Sequence, residues 1–426
     1  MFRRPATTCG SPARTRLCSQ ARARGWLTPL AVDDVVERTV DMGSGHPLRE
    51  LRRPQFGEGT GPLSVVDLFS GCGGLTLGVA RAAHARGIAT RLALAIDFEE
   101  AAIGVLKANF SSARAETGLV EEFFDGPNGA PPTSREQQVT HECGDVDFLI
   151  GGPPCQGHSN LNNYTRRDDP KNRLYLRMAR AAEVLRPRAV LIENVPAVVH
   201  DSQNVVFQAE QFLHGAGYSV ASAVVSFTDL GIPQTRKRHV VLAIRNDSLP
   251  DGCDLQEFLR FAPQPARDLR WAIGDLEHAP TGLWIDAPAR MSEDNRRRIQ
   301  WLIRNNEVNL PNRYRPKCHQ GKHSYTSMYG RLSWNLPAQT ITSGFGSLGQ
   351  GRYGHPSQPR TLTAHEAARI QGFPDYFKFD AASTRSKLSV IIGNAVPPAL
   401  TEAVTTGLIN AGVLRAADSQ EITMTA

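Results

Sequence analysis

Between residues 63 and 244, short apolar runs alternate with stretches whose apolar positions recur at helical spacing. The run LSVVDL at 63–68 reads as a buried strand, followed by a glycine turn and an alanine-rich helix over 76–85. A second strand at 92–96 and a second helix at 99–109 repeat the pattern, and 148–150 is a third short apolar run. Leu174, Met178, Ala181, Ala182 and Leu185 fall on one helical face, and 189–192 follows as a strand. Val205, Ala209, Phe212 and Leu213 mark another helix, ahead of strands at 219–227 and 239–244. Strands alternating with helices of this length predict an α/β fold with a mainly parallel sheet covered on both faces. The stretch 125–145 (DGPNGAPPTSREQQVTHECGD) reads by composition as a loop and an insertion.

From about 246 to 355 the rhythm is lost. Pro, Asn, Arg and single tryptophans (Trp271, Trp284, Trp301, Trp334) predict an irregular, smaller second domain. Beyond it, 362–372 is helical, and 388–392 leads into Gly393, Asn394 and Pro397–Pro398. No apolar run approaches the ~18 residues of a membrane span, so no membrane association is expected. Seven cysteines in 426 residues are too few and too scattered for a disulfide framework.

Charge matters only once it is located. The net charge is +6, and residues 1–60 supply +4 of it with ten Arg against six acids. That Arg-rich leader reads as a disordered arm, an upstream start or a transit segment, and is expected to lie outside the core. Residues 296–330 hold eight Arg or Lys and one acid, Glu307, and interleave Trp301, Tyr314, Tyr325 and Tyr329. A charge run is commonly a solvated face, but basic and aromatic residues interleaved also suit nucleic acid. Arg outnumbers Lys by 41 to 7, as a GC-rich coding sequence and a bacterial origin would give.

Four motifs sit where open α/β sheets place their chemistry, at the carboxyl ends of strands. DLFSGCGG at 67–74 joins the first strand to its helix; clustered glycines let a ligand approach the backbone and the helix's free N–H groups. Asp97, at the end of the second strand, is placed to accept hydrogen bonds from ribose hydroxyls. The spacing is not G-x-G-x-x-G, so the turn alone reads as a nucleoside site or as a tight structural turn. GGPPCQG at 151–157 puts Cys155 in an exposed loop, where nearby positive charge can activate a thiol. Glu193 ends the strand at 189–192, and Gln234, Arg236 and Arg238 lie on one side of an extended chain, so that both arginines can point at one ligand. Cys318, His319 and His323 form an incomplete metal set, and no metal is expected.

Six motifs occur in order: DLFSGCGGLTLG, GGPPCQGHS, ENV, QTRKR, RTLTAHEAARIQGFPDYF and IGNAVPPAL. In this the chain closely resembles the DNA (cytosine-5) methyltransferase family, from about Leu63 to the C-terminal helix. The resemblance implies a Rossmann-like S-adenosylmethionine-dependent methyltransferase sheet with a target-recognition domain. It divides the chain into leader (1–60), catalytic and cofactor-binding domain (61–245), target-recognition domain (246–355) and returning C-terminal segment (356–426). It implies catalytic roles for Cys155 as nucleophile at cytosine C6, Glu193 at N3, Arg238 at O2 and Arg236 behind the cysteine loop. S-adenosylmethionine is assigned to Phe69, Gly71, Gly73, Asp97, Phe98, Pro153, Leu174, Asn394 and Val396. The third-strand acid that meets the adenine amino group has no clear match; Glu116 and Asp145 are the candidates. Duplex DNA is the implied partner, with a cognate restriction endonuclease acting separately, in the bacterial cytoplasm at the nucleoid. Other readings are a tRNA cytosine methyltransferase, an inactive nucleic-acid-binding scaffold, and a nicotinamide oxidoreductase, which leaves Cys155 and Arg238 without a role.

Overall fold

The computed structural model describes residues 46–154, 174–278, 283–320 and 327–415. Its centre is a seven-stranded sheet. The strands are β1 (Thr60–Leu68), β2 (Ile88–Asp97), β3 (Ala115–Thr117), β4 (Phe148–Gly151), β5 (Ala189–Asn194), β6 (Tyr218–Ser226) and β7 (Lys237–Arg245). Their order is β3-β2-β1-β4-β5-β7-β6. All pairings are parallel except those of β7, which runs antiparallel to both β5 and β6. The strand order reverses between β1 and β4, so the loops leaving these two strands open a crevice at the sheet's carboxyl edge.

Alternate residues of each strand feed two cores. On one face Leu63, Val65, Leu92, Phe148, Leu191 and Leu242 pack with helices α1 (Gly74–His84) and α2 (Glu100–Asn109). On the other, Val66, Leu68, Leu94, Leu149, Val190 and Val241 meet three further helices. These are α3 (Ser134–Cys143), α4 (Leu174–Leu185) and α5 (Val205–Gly215).

Helix α3 overturns the reading of 125–145 as a loop. The Thr133 side chain accepts from the Glu136 N–H while Glu136 accepts from the Thr133 N–H, a reciprocal cap that starts the helix. Val139 and Cys143, four residues apart, are buried. Glu136 meets Arg180 of α4 in a fully buried ion pair at 2.5 Å. The Gly- and Pro-rich residues before Thr133 dominate the composition and hide a helix with only two apolar anchors.

The other helices are α6 (Leu269–Ile273), α7 (Glu293–Arg304), α8 (Ala364–Ile370), α9 (Arg385–Asn394) and α10 (Ala399–Asn410). The irregular stretch is less separate than expected. Leu255, Leu259, Leu269, Ile273, Ile341 and Tyr353 all join the main core. Only a small cluster of Ile299, Leu302, Leu310, Tyr329 and Leu348 stands apart from it.

By length and composition, 385–410 is long and apolar enough to cross a membrane, contrary to the reading of the apolar runs. In the fold it is two helices, broken before Pro397–Pro398. α10 buries Leu400, Val404 and Leu408, and Thr401 donates to the Leu75 carbonyl of α1 at 2.7 Å. The close approach requires Gly78: a Cβ there would stand 2.0 Å from the Pro398 carbonyl oxygen.

The leader also needs correction. Residues 46–59 pack on the core, with Leu48 and Phe56 buried. His46 Nε2 donates to the Trp271 carbonyl at 2.9 Å, and Arg49 pairs with Asp275 at 3.1 Å. The carbonyls of Leu48 and Glu50 accept from the N–H groups of Asp375 and Tyr376. Two isolated apolar residues among Pro and Gly carry no periodic signal, which is why this strap is silent in the sequence. Removing residues 1–45 leaves this strap in place. Removing 1–59 also strips two buried apolar side chains, a loss of about 3–6 kcal/mol by transfer alone. Thermal unfolding of the two truncations checks this; equal midpoints would refute it.

Candidate active site

The loop leaving β1 is built around left-handed backbone. Phe69, Gly71 and Gly73 have φ of 58°, 52° and 87°. Gly73 caps α1 without any side-chain hydrogen bond, so the helix presents its first N–H groups to the crevice. A Cβ on Gly71 would meet nothing within 4 Å, whereas one on Gly74 would stand 2.4 Å from the Val396 carbonyl oxygen. The C-terminal chain is therefore pressed against the start of α1. Val396 also approaches the β4 loop, its Cγ2 lying 3.9 Å from where a Gly152 Cβ would be. Asn394, at the end of α9, is exposed.

Asp97 closes this loop from β2. One carboxylate oxygen accepts from the Gly71 N–H at 2.8 Å and the other from the Glu99 N–H at 2.9 Å. Burial raises its pKa above the ordinary carboxyl value, and the backbone donors oppose that. Beside it, Phe98 is 65% exposed, a bare aromatic face at the rim.

Asp67, which was read only as part of the glycine motif, is wholly buried beneath the loop. Burial pushes its carboxyl up to about 7, although Thr76 Oγ1 donates to one oxygen at 2.6 Å. Its other oxygen and the buried Ser70 hydroxyl have no hydrogen-bond partner among the described residues. Unpaired polar atoms, a helix N-terminus without a side-chain cap and an exposed aromatic ring fit a nucleoside cofactor in this crevice. An acid inside an apolar strand run was the signal for Asp67.

The second wall comes from β4, β5 and β7. Pro153 is buried, and its carbonyl accepts from Asn194 Nδ2 at 3.2 Å. A Cβ on Gly152 would stand 3.2 Å from Glu193 Oε2, so the chain leading to Cys155 passes directly over that carboxylate. Cys155 itself lies outside the described residues. Glu193 Oε1 meets Arg238 Nε at 2.6 Å, and both side chains are nearly buried. The register explains the pair: Glu193 of β5 faces Val240 of β7, and Arg238, two residues along the same side, is its diagonal neighbour.

Arg236 does not share that target. It is buried, and its Nη1 donates to the Ile341 carbonyl at 3.2 Å. Burial, and next the Arg238 charge, drive its pKa well below the usual guanidinium range. Gln234 likewise turns inward, where its Nε2 donates to Gln371 Oε1 at 2.8 Å and its Oε1 accepts from the Ile341 N–H at 2.9 Å. Gln371 Nε2 then donates to the carbonyls of Ile392 and Ala395. This relay, absent from the sequence reading, ties β7 to residue 341 and to the loop carrying Val396.

The remaining candidates fall as follows. Leu174 is the half-buried first residue of α4. Of the two adenine-acid candidates, Glu116 lies in β3 beside Ile96 of β2. Glu116 pairs with Arg114 at 3.2 Å, which also holds Glu142 of α3. Asp145 precedes β4, at the opposite end of the sheet, where its carbonyl accepts from Arg91. Of the described cysteines, Cys72 is buried in the glycine loop with its thiol pushed up to about 12 by burial. His319 is engaged with the Tyr329 hydroxyl at 2.8 Å. His323 lies outside the described residues.

The seven-stranded sheet with its switch-point crevice and glycine loop is a Rossmann-like, open α/β fold with a ligand site at the carboxyl edge. The C-5 cytosine-specific DNA methylase family model matches residues 63–410. The type II methyltransferase M1.BsuMI of Bacillus subtilis is 43% identical over 354 residues, covering 83% of this chain and 82% of that protein. The type II methylase M.HgiDII of Herpetosiphon aurantiacus is 31% identical, covering 79% and 92%. The structure of the S. pombe Dnmt2 methyltransferase superposes with a TM-score of 0.56 at 18% identity, covering 82% of this chain and 97% of that one, a likeness of fold. The chain belongs to the C-5 cytosine-specific DNA methylase family and is a DNA (cytosine-5) methyltransferase.

Proposed function

We propose that the protein methylates C5 of a cytosine flipped out of a specific duplex DNA sequence, through a covalent bond between Cys155 and cytosine C6. The observation that carries this reading is the Glu193–Arg238 pair at 2.6 Å, beside the chain that leads to Cys155. C5 is a weak nucleophile until a thiolate adds to C6, which places negative charge on the ring at N3 and O2. Glu193 holds or supplies the proton at N3, and Arg238 donates to O2. Arg236, anchored on Ile341, positions the wall behind them. A base inside a duplex cannot reach such a crevice, so it must leave the stack. Loss of the C5 proton and expulsion of the Cys155 thiolate then restore the aromatic ring.

Phe69, Gly71, Gly73, Asp97, Phe98, Pro153, Leu174, Asn394 and Val396 would hold S-adenosylmethionine, which supplies an electrophilic methyl group when bound. Asp97 has two tasks on this reading, tethering Gly71 and meeting ribose hydroxyls. Residues 246–355 would read the target sequence, and 356–426 return to the catalytic domain. A restriction–modification or solitary bacterial role, in the cytoplasm at the nucleoid, follows from the type II relatives, with any cognate endonuclease acting separately. Bisulfite sequencing of plasmid DNA from expressing cells is expected to reveal 5-methylcytosine in one short sequence context. Methyl label in tRNA and none in duplex DNA would overturn the reading in favour of a tRNA enzyme.

A further inference from the structure

Away from the crevice, a cleft of about 500 Å³ is lined by Pro288, Arg290, Met291, Arg296, Gln358 and Arg360 among others. No carboxylate lines it. Arg360 is committed, donating to both oxygens of buried Glu366 at 2.8 and 2.7 Å. Arg296 has only a loose partner, Glu293 at 3.7 Å, and Arg290 makes no ion pair with any described residue. Two exposed guanidinium groups therefore line one cleft, and Arg296 shares its acid, Glu293, with Arg297.

The cleft is joined to the catalytic wall by a short, well-anchored path. Ala289 packs against Gly346, where an added Cβ would lie 3.4 Å away. Arg385, opening α9, donates to the carbonyls of Ala287 and Pro288 at 2.5 and 2.7 Å. At its far end α9 is pressed on residues 342–343: a Cβ on Gly393 would stand 2.1 Å from the Ser343 nitrogen. Gly346 is five residues beyond Ile341, whose carbonyl holds Arg236. Five residues span at most about 18 Å.

We propose that this cleft seats a backbone phosphate of the duplex DNA substrate, with Arg290 and Arg296 as its two cationic contacts. The inference rests on the functional reading above, and deepens it by naming a subsite. Cleft residues present arginine donors but no aromatic platform, which suits a phosphodiester and not a base edge. Such contacts position the duplex without reading its sequence.

The test compares the full-length wild type with Arg290→Gln/Arg296→Gln by fluorescence anisotropy, using a duplex that carries the methylated sequence. Between about 50 and 200 mM salt, losing two phosphate contacts should make the slope of log affinity against log salt shallower by about 1.8. At physiological salt the KM for DNA should rise about tenfold, with kcat at saturation and the bisulfite-mapped sequence unchanged. Arg290→Lys/Arg296→Lys should keep the wild-type slope, because each point charge remains. Arg188→Gln, just ahead of β5 at the amino end of the sheet and paired with Asp147, should also leave it unchanged. A wild-type slope in the double Gln variant, or an equal change in Arg188→Gln, overturns the proposal. If the wild type places no methyl group in duplex DNA, the functional reading itself falls, and the cleft's role with it.

Discussion

Cys155→Ser is expected to lower methyl transfer by a factor on the order of a thousand or more, while cofactor affinity stays close to wild type. Sulfur is needed because a thiol ionises near neutral pH and attacks as thiolate, whereas a serine hydroxyl does not. No other described cysteine offers a replacement at the same place. Burial pushes the Cys72 thiol up to about 12 and that of Cys143 up to about 11, so neither supplies thiolate at physiological pH. Cys253 and Cys318 lie in the irregular stretch, outside the β4 loop. Cofactor binding should survive because the glycine loop, Asp97 and Phe98 belong to β1 and β2. Labelled methyl transfer to duplex DNA, paired with calorimetric titration of the cofactor, separates the two effects. Undiminished turnover would sink the covalent mechanism.

The central strands were legible because they obey a short-range rule: buried parallel strands are continuous apolar runs. Candidate residues were then sought at the carboxyl edge of the sheet, where Asp97 and Glu193 lie at strand ends and Arg238 at the start of β7. What escaped depends on partners far along the chain. Helix α3 is stabilised by a buried ion pair across to Arg180, and neither Glu136 nor Arg180 looks apolar in a one-dimensional pattern. The 46–59 strap is held by Trp271, Asp275 and residues 375–376, over 200 positions away. The same limit explains the arginines of QTRKR. Alternation put Arg236 and Arg238 on one side of the strand, but only the tertiary partners, Ile341 for one and Glu193 for the other, separate their tasks. The acid meeting the adenine amino group stayed unassigned because 125–145 disrupts the spacing; of the two candidates, Glu116 pairs with Arg114, and Asp145 precedes β4.

Glu193→Gln should lower the single-turnover rate by about 10²–10⁴-fold, the usual worth of a positioned proton donor or acceptor. Glutamine keeps the shape and can still hydrogen-bond N3, but it cannot pass a proton there. The substitution also removes the negative partner of Arg238, whose side chain is only 13% exposed. An uncompensated guanidinium in that position loses its fixed orientation, so part of the deficit belongs to O2 and not to N3. A double-mutant cycle with Arg238→Gln apportions the two, and groups in direct contact should couple by about 0.5–3 kcal/mol. If the residues work as one unit, the double variant is little slower than the worse single variant. If they work independently, the two rate losses multiply. Rates measured at saturating cofactor and DNA remove binding from the comparison, and a Glu193→Gln rate within threefold of wild type would exclude Glu193 from the chemical step.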